Sequence, residues 1–441
     1  MTHGAGGRAG GVDSRLIRAI GVWGLAASIV NVTVGGGIFR LPAGVASSLG
    51  AAAPVAYLVC TVAMALIVLC FADAGSRVSL TGGPYAYVET AFGPFVGFVC
   101  GALLWVGMTF ALSAVSAFFA DSLVALVAAI GQTGKRVALV LTLAALAAAN
   151  ARGVRGVTRV NVVFTVAKLL PLLVLIVVGA FAMRGENLRV TTAPTTEGVA
   201  RASLLLLFAF LGVESALVPS GEVKEPARTV PIAIFVAMGA VALLYVAVQV
   251  VAQGLLGDRL AGDPTPLASA AAVAMGPTGR SLILVGSVVS MFGYVSGMTL
   301  AVPRMLFAFG RDGFLPARIA AVHPVWRTPH VAIIAQTAIV IVLGLFGIFE
   351  SLAVAANVTM LIVYAACCLA AVRLRRRGVH GGGVPFRVPG AGVAPWLALG
   401  VIGWLLWELE PNEWIAAGAI VALASVVFAA TRQARRARAV G

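Results

Sequence analysis

Charge is scarce in this chain, and negative charge scarcer still: of 441 residues only 11% are Asp, Glu, Lys or Arg, with 16 carboxylates against 31 cations. Too few polar side chains remain to cover a surface in water, which excludes a soluble globular domain. Histidine is equally sparse. All four (His3, His323, His330, His380) fall in a tail or in polar breaks. The apolar stretches hold neither paired carboxylates nor a metal-ligand cluster, which argues against an enzyme working by acid–base or metal chemistry. The five cysteines (Cys60, Cys70, Cys100, Cys367, Cys368) lie inside apolar runs without metal-ligand spacing. They read as small hydrophobes, and no disulfide framework is inferred. No charged ring or repeated carbonyl filter marks a channel. The opening MTHGAGGRAGGVDSR lacks the apolar stretch and cleavage site of a signal peptide and is expected to be a cytoplasmic tail.

Apolar residues are abundant, at 61% with a mean hydropathy of +1.03. Roughly 20 such residues span a bilayer as a helix, and runs of that length recur along the chain. Helices are expected at about 18–44, 51–77, 95–128, 136–150, 158–182, 200–220, 229–256, 276–308, 329–349, 351–374, 392–408 and 412–431. The net charge of +15 would suggest nucleic acid in a soluble chain. Sorted along these spans, the cations instead gather on one side: Arg8, Arg15 and Arg18, then Arg152, Arg155 and Arg159, then Arg373, Arg375, Arg376 and Arg377. The other side holds far fewer, among them Arg40, Lys135, Arg136, Arg184 and Arg189. The positive-inside rule then predicts both termini in the cytoplasm, with the surplus charge facing anionic headgroups and no nucleic-acid partner.

Two spans are interrupted. The first contains the run Gly35, Gly36, Gly37, and each Gly in a helix interior costs about 1 kcal/mol relative to Ala. The run marks either an unwound stretch or close helix packing. Unwound backbone at membrane depth is tolerated only where it is buried or lines a cavity. There its free N–H groups suit a carboxylate and its carbonyls an ammonium or a cation. The sixth span breaks near Gly212, followed at once by Glu214. Interrupted helices five spans apart fit an inverted repeat around a central site.

Six motifs in order carry a family resemblance: VGGGIFRLPA at 34–43, FADAGSRVSLTGGPYAYVETAFGPF at 71–95, RGVRGVTRVNVVFTVAKLLPL at 152–172, FAFLGVESALVPSGEVKEPARTVPIAI at 208–234, FAFGRDGFLP at 307–316 and VPFRVPG at 384–390. Together they resemble an amino acid permease of the amino acid, polyamine and organocation superfamily. The resemblance implies an all-α integral membrane protein of about twelve transmembrane helices. Its fold would be the leucine-transporter-like 5+5 inverted repeat, with helices 1 and 6 broken. The expected divisions are a tail 1–17, a ten-helix core 18–374 with repeats at about 18–182 and 200–374, a cytoplasmic loop 375–391, two further helices in 392–431 and a tail 432–441. The implied activity is alternating-access transport of amino acids across the cytoplasmic (inner) membrane, with neutral substrates and proton symport expected and an amino acid or amino acid/polyamine exchanger (antiporter) as the alternative. A channel or a non-transporting membrane sensor is the remote reading from another class. No cofactor is expected. The expected partners are an amino acid, protons and lipid.

By the same resemblance the substrate carboxylate meets the N–H groups of Gly35, Gly36 and Gly37. The family's usual Ser or Thr between two glycines is replaced here by Gly36. The ammonium meets carbonyls near Thr33 and Val34 and in the helix-six break around Phe208, Ala209 and Gly212, with Phe208 as an aromatic gate. Gly107, Met108 and Met298 are expected to line an apolar side-chain pocket. Lys168, among apolar residues, is either a functional group by default or a side chain snorkelling to headgroups. In proton-coupled relatives such a lysine takes the place of a sodium ion and reaches unwound helix one and hydroxyls of helix eight, for which Ser296 and Thr299 are the candidates. Glu214 is expected to cap the second half of helix six, pair with helix seven, or couple binding to gating. Arg40 is a candidate partner for a carboxylate in an outer vestibule. The run holding Gly82, Gly83 and Pro84 forms a tight re-entry to helix three, as an inner gate or as plain architecture.

Overall fold

The computed structural model describes residues 20–78, 80, 82–127, 131–152, 157–191, 193–218, 223–380, 384–388 and 390–431, with backbone alone for 157–165. The two expected tails lie outside the described residues. Regular structure in the described residues is helical: α1 Val22–Thr33, α2 Gly37–Leu49, α3 Ala53–Arg77, α4 Pro84–Phe92, α5 Pro94–Leu126, α6 Gly131–Ala151, α7 Val157–Ala182, α8 Thr196–Phe210, α9 Val213–Ala216, α10 Pro226–Leu256, α11 Pro266–Arg311, α12 His330–Phe346, α13 Phe349–Arg376, α14 Ala394–Trp407 and α15 Pro411–Ala430. A single isolated bridge joins Ile20 to Val223. Among the described residues, eight stretches are long and apolar enough to cross a membrane, and four shorter apolar helices accompany them.

Local chemistry explains the punctuation. Proline opens α4, α5, α10, α11 and α15, where its missing N–H would have had no helical partner and its φ is already helical. Gly93, at φ +92°, separates α4 from α5 in a conformation that L side chains rarely adopt. The re-entry expected after Gly83 is thus a nine-residue helix, α4, packed against α5 and α13. The eighth expected span is longer than foreseen. It begins at Pro266 and kinks at Gly276, whose φ is +68°.

The helices touch in a regular scheme. α1 packs on α9 and α2 on α8; α3 packs on α10 and α5 on α11; α5 also meets α13, and α7 meets α11. Small residues permit the close approaches: a Cβ on Gly286 would stand 2.6 Å from Pro171 of α7, the interface chemistry expected of bilayer helices. The largest fully buried side chains include Tyr57, Tyr87, Tyr245, Tyr364 and, unusually, Lys168. Of these, Lys168 and Tyr245 bond to the broken helices and Tyr364 to Glu214.

Candidate functional site

The first break falls where the glycines are. α1 ends at Thr33, Val34 leaves helical geometry at φ −76°, ψ 78°, and α2 restarts at Gly37. The second break is Gly212, at φ +131°, between α8 and α9. The two breaks abut. A Cβ on Gly212 would lie 2.9 Å from both the Thr33 nitrogen and the Val32 carbonyl carbon, so only glycine allows this contact. Tyr245 of α10 joins them, its buried hydroxyl standing 3.0 Å from the Thr33 carbonyl oxygen and 2.9 Å from that of Ala209. Tyr245 carries no motif signal in the sequence. A polar residue in the middle of an apolar helix was the one available hint.

A small cavity of about 10 Å³ lies beside the breaks, lined by Thr33, Gly35, Gly36, Gly37, Ala111, Val115, Phe208, Leu211 and Tyr294. At about the space one water molecule needs, it is far smaller than the ~300–1,000 Å³ of drug-sized pockets. The N–H of Gly35 donates to the Thr33 carbonyl at 2.8 Å. The N–H groups of Gly36 and Gly37 find no acceptor among the described residues and point from the start of α2, as first-turn donors do. Carbonyls in both breaks already accept donors: Thr33 from Gly35 and Tyr245, Val34 from Lys168 and Ser290, Ala209 from Tyr245, and Phe208 from the Leu211 N–H at 3.3 Å. Thr33 and Val34 thus already accept two donors each, while a second lone pair stays available on the Ala209 and Phe208 carbonyls, and among the described residues the buried Thr33 hydroxyl has no partner. The absence of a hydroxyl at Gly36 has a steric counterpart: a Cβ there would stand 3.2 Å from Met291 Sδ and from the Phe118 ring. These side chains occupy the space beside that glycine.

Lys168 does not snorkel. Its side chain is fully buried, and Nζ donates to the carbonyls of Asn31 at 2.8 Å and Val34 at 3.0 Å. An ammonium thereby meets the C-terminal carbonyls of α1, where cations are favoured. The helix-eight hydroxyl nearby is Ser290, whose Oγ donates to the same Val34 carbonyl at 3.3 Å. Ser296 and Thr299 are corrected on this point. Thr299 Oγ1 bonds back to the Val295 and Ser296 carbonyls of its own helix, and among the described residues no bond joins either hydroxyl to Lys168. Met108 and Met298 are likewise buried but do not line the cavity; Ala111 and Val115 of α5 and Tyr294 of α11 do. Both shifts have one cause: hydroxyls and apolar residues repeat along these helices, and no glycine break beside these residues fixes the register.

Glu214 caps the second half of the broken helix, accepting from the Gly212 N–H at 2.9 Å, while the Tyr364 hydroxyl of α13 donates to it at 2.8 Å. Its side-chain partner lies on the tenth span rather than the seventh. Phe208 lines the cavity and stands edge-on to Phe349 at 5.4 Å; Phe349 in turn meets Phe118 at 5.5 Å. Beyond this aromatic layer lies a vestibule of about 310 Å³ lined by, among others, Phe118, Phe349, Arg40, Asp121, Lys135 and Glu350. Arg40 pairs there with Glu350 at 3.1 Å, and Lys135 with Asp121. Among the described residues no group of His, Cys, Asp or Glu is arranged to hold a metal ion.

Comparison with known proteins bears on this arrangement. A family model described as amino acid permease matches residues 20–435. The methylthioribose transporter of Bacillus subtilis (strain 168) is 26% identical over 433 residues, covering 94% of this chain and 93% of the relative. The serine/threonine exchanger SteT of the same organism is 27% identical over 377 residues (83% and 85%). Its branched-chain amino acid permease BcaP is 27% identical over 407 residues (88% and 87%).

Proposed function

Because the chain belongs to the amino acid permease family, we propose that it is a secondary active transporter moving neutral amino acids across the cytoplasmic membrane by alternating access, in symport with protons. The observation that carries this reading is the cavity at the junction of the two breaks, with the free Gly36 and Gly37 N–H groups on its wall. Such donors suit a carboxylate. The lining contains no Asp, Glu, Lys or Arg, so nothing there pairs with a charged substrate side chain, and a neutral one is favoured.

The twelve-span 5+5 arrangement is part of the proposal. Two five-helix repeats inverted about the membrane plane require the first half of helix one to meet the second half of helix six, and the reverse. α1 on α9 and α2 on α8 satisfy this. The pairs α5 with α13 and α11 with α7 are likewise related by a five-span shift. The repeats run over about 18–182 and 200–374, with both termini in the cytoplasm as the positive-inside rule favours.

Lys168 supports proton coupling. As an ammonium it binds two carbonyls of α1 with charge-assisted donors. Loss of its proton removes the charge and weakens its hold on the break where substrate sits. Uptake of a labelled neutral amino acid into proteoliposomes, competed by all other amino acids and polyamines with and without an inward proton gradient, tests the reading. Gradient-driven accumulation is expected in the parent and a loss of gradient dependence in Lys168→Ala. Uptake that ignores the gradient and requires internal amino acid would make the protein an exchanger, as SteT is named, and Lys168 a structural strut. Competition by cationic amino acids alone would refute the neutral pocket.

A further inference from the structure

The vestibule holds charged groups that the proposed transport cycle does not use. At about 310 Å³ it reaches the small end of the ~300–1,000 Å³ typical of small-molecule sites, whereas the inner cavity, at about 10 Å³, has room for about one water. Of the two, only the vestibule can hold an amino acid in this conformation.

Its walls bring three cations and two carboxylates together: Arg40 of α2, Lys135 and Arg136 of α6, Asp121 of α5 and Glu350 of α13. Two ion pairs use four of these groups, and each pair leaves an oxygen over. Arg40 directs both Nε and Nη2 at Glu350 Oε1, at 3.2 and 3.1 Å, so Glu350 Oε2 has no partner among the described residues. Lys135 pairs with Asp121 Oδ1, which leaves Asp121 Oδ2 likewise free. Arg136 is exposed and makes no ion pair or hydrogen bond among the described residues. An unpaired guanidinium presents a planar fork of donors that matches a carboxylate, and unpaired carboxylate oxygens accept from an ammonium. Phe118 and Phe349 add an apolar wall.

We propose that the vestibule is a second binding site, taking a zwitterionic amino acid with its carboxylate on Arg136 and its ammonium against the free oxygens of Glu350 and Asp121. The proposal rests on the reading of the chain as a transporter of neutral amino acids. Held there, the molecule waits on the far side of the aromatic layer from the inner cavity and enters when that layer opens. The ion-pairing side chains are partly exposed, at 26–48%, and charges so placed attract weakly. The vestibule is therefore the weaker of the two sites and the more sensitive to salt.

The test measures equilibrium binding of labelled alanine, serine and leucine, each in turn and at saturation, to the full-length protein in lipid nanodiscs. Arg136→Gln removes the free guanidinium; Arg189→Gln, an exposed arginine that does not line the vestibule, controls for the loss of one charge. For an amino acid that binds, two molecules per chain are expected in the parent and in Arg189→Gln and one in Arg136→Gln, and raised salt should release one of the two from the parent. Equal stoichiometry in all three proteins, or an equal fall in both variants, would overturn the vestibule site and leave the transport reading standing. No binding of any of the three amino acids to any of the proteins would overturn the neutral-substrate reading, and the second site with it.

Discussion

Tyr245 has one hydroxyl hydrogen and two carbonyl acceptors, one from each broken helix. Removing the hydroxyl in Tyr245→Phe leaves the Ala209 carbonyl without its donor, whereas the Thr33 carbonyl keeps the Gly35 N–H. A buried polar group left unpaired costs about 1–3 kcal/mol. A lower Tm in detergent and a raised KM for uptake are expected; parental values of both would show that the hydroxyl does not tie the breaks together. Gly212→Ala tests the same junction from the other side. The new methyl would meet backbone at 2.9 Å, and φ at +131° adds strain of order 1–3 kcal/mol. This variant should fail to accumulate as a folded protein, which size-exclusion profiles of the solubilised chain would reveal. The glycines of this junction were legible in the sequence because a helix has no use for them. Tyr245 was not, since one tyrosine in an apolar helix looks the same whether it anchors two carbonyls or fills a gap.

At the scale of elements, the breaks and most spans could be placed from hydropathy and glycine, whereas the register of α11 could not. Its hydroxyls at Ser287, Ser290, Ser296 and Thr299 offer several equivalent faces, and only tertiary packing selects Ser290 for the Lys168 cluster. The helix α4 was half legible: Gly82, Gly83 and Pro84 announce a turn, but not that the segment lies clamped. Arg377 donates to the Ala91 carbonyl at 3.2 Å, the Arg373 guanidinium sits 5.0 Å over the Phe92 ring, and the Gly82 N–H donates to the Val218 carbonyl at 2.9 Å. Within α4, burial raises the Glu89 carboxyl above its ordinary value, and Asp312 adds to the shift while the Tyr85 hydrogen bond opposes it. Arg311, paired with Asp312, is the neighbouring cation. A raised carboxyl binds its proton more tightly in the folded state, so the docked α4 gains stability as pH falls and loses it as pH rises through the shifted value. Hydrogen exchange of residues 84–92, corrected for intrinsic rates, should therefore show more protection at acidic pH, above the usual Glu value of about 4.3. Glu89→Gln should flatten that dependence. A slope that persists in the variant would assign the effect to another group.

Across the whole molecule, the cavity and the vestibule are in series, separated by Phe118, Phe349 and Phe208. Substrate passing between them must displace this layer. The Arg40–Glu350 pair joins α2, in the first broken helix, to the start of α13, next to Phe349. Both side chains are substantially exposed, at 32% and 47%, and pairs so placed contribute only about 0–1 kcal/mol. That weakness suits a contact broken in every cycle, since a strong one would slow opening. Removing the attraction should lower uptake modestly, while the like-charge variant Arg40→Glu should lower it further by holding the vestibule open. The double reversal Arg40→Glu/Glu350→Arg restores opposite charges and should recover part of the rate. Recovery stays incomplete because Arg40 also donates to the Pro264 carbonyl at 3.0 Å, which a carboxylate cannot do. Rates measured for both single reversals and the double in one proteoliposome preparation give the coupling directly, and added salt should shrink it. If the double reversal is no faster than the slower single, the pair is not the element that closes this end, and the aromatic layer alone must do so.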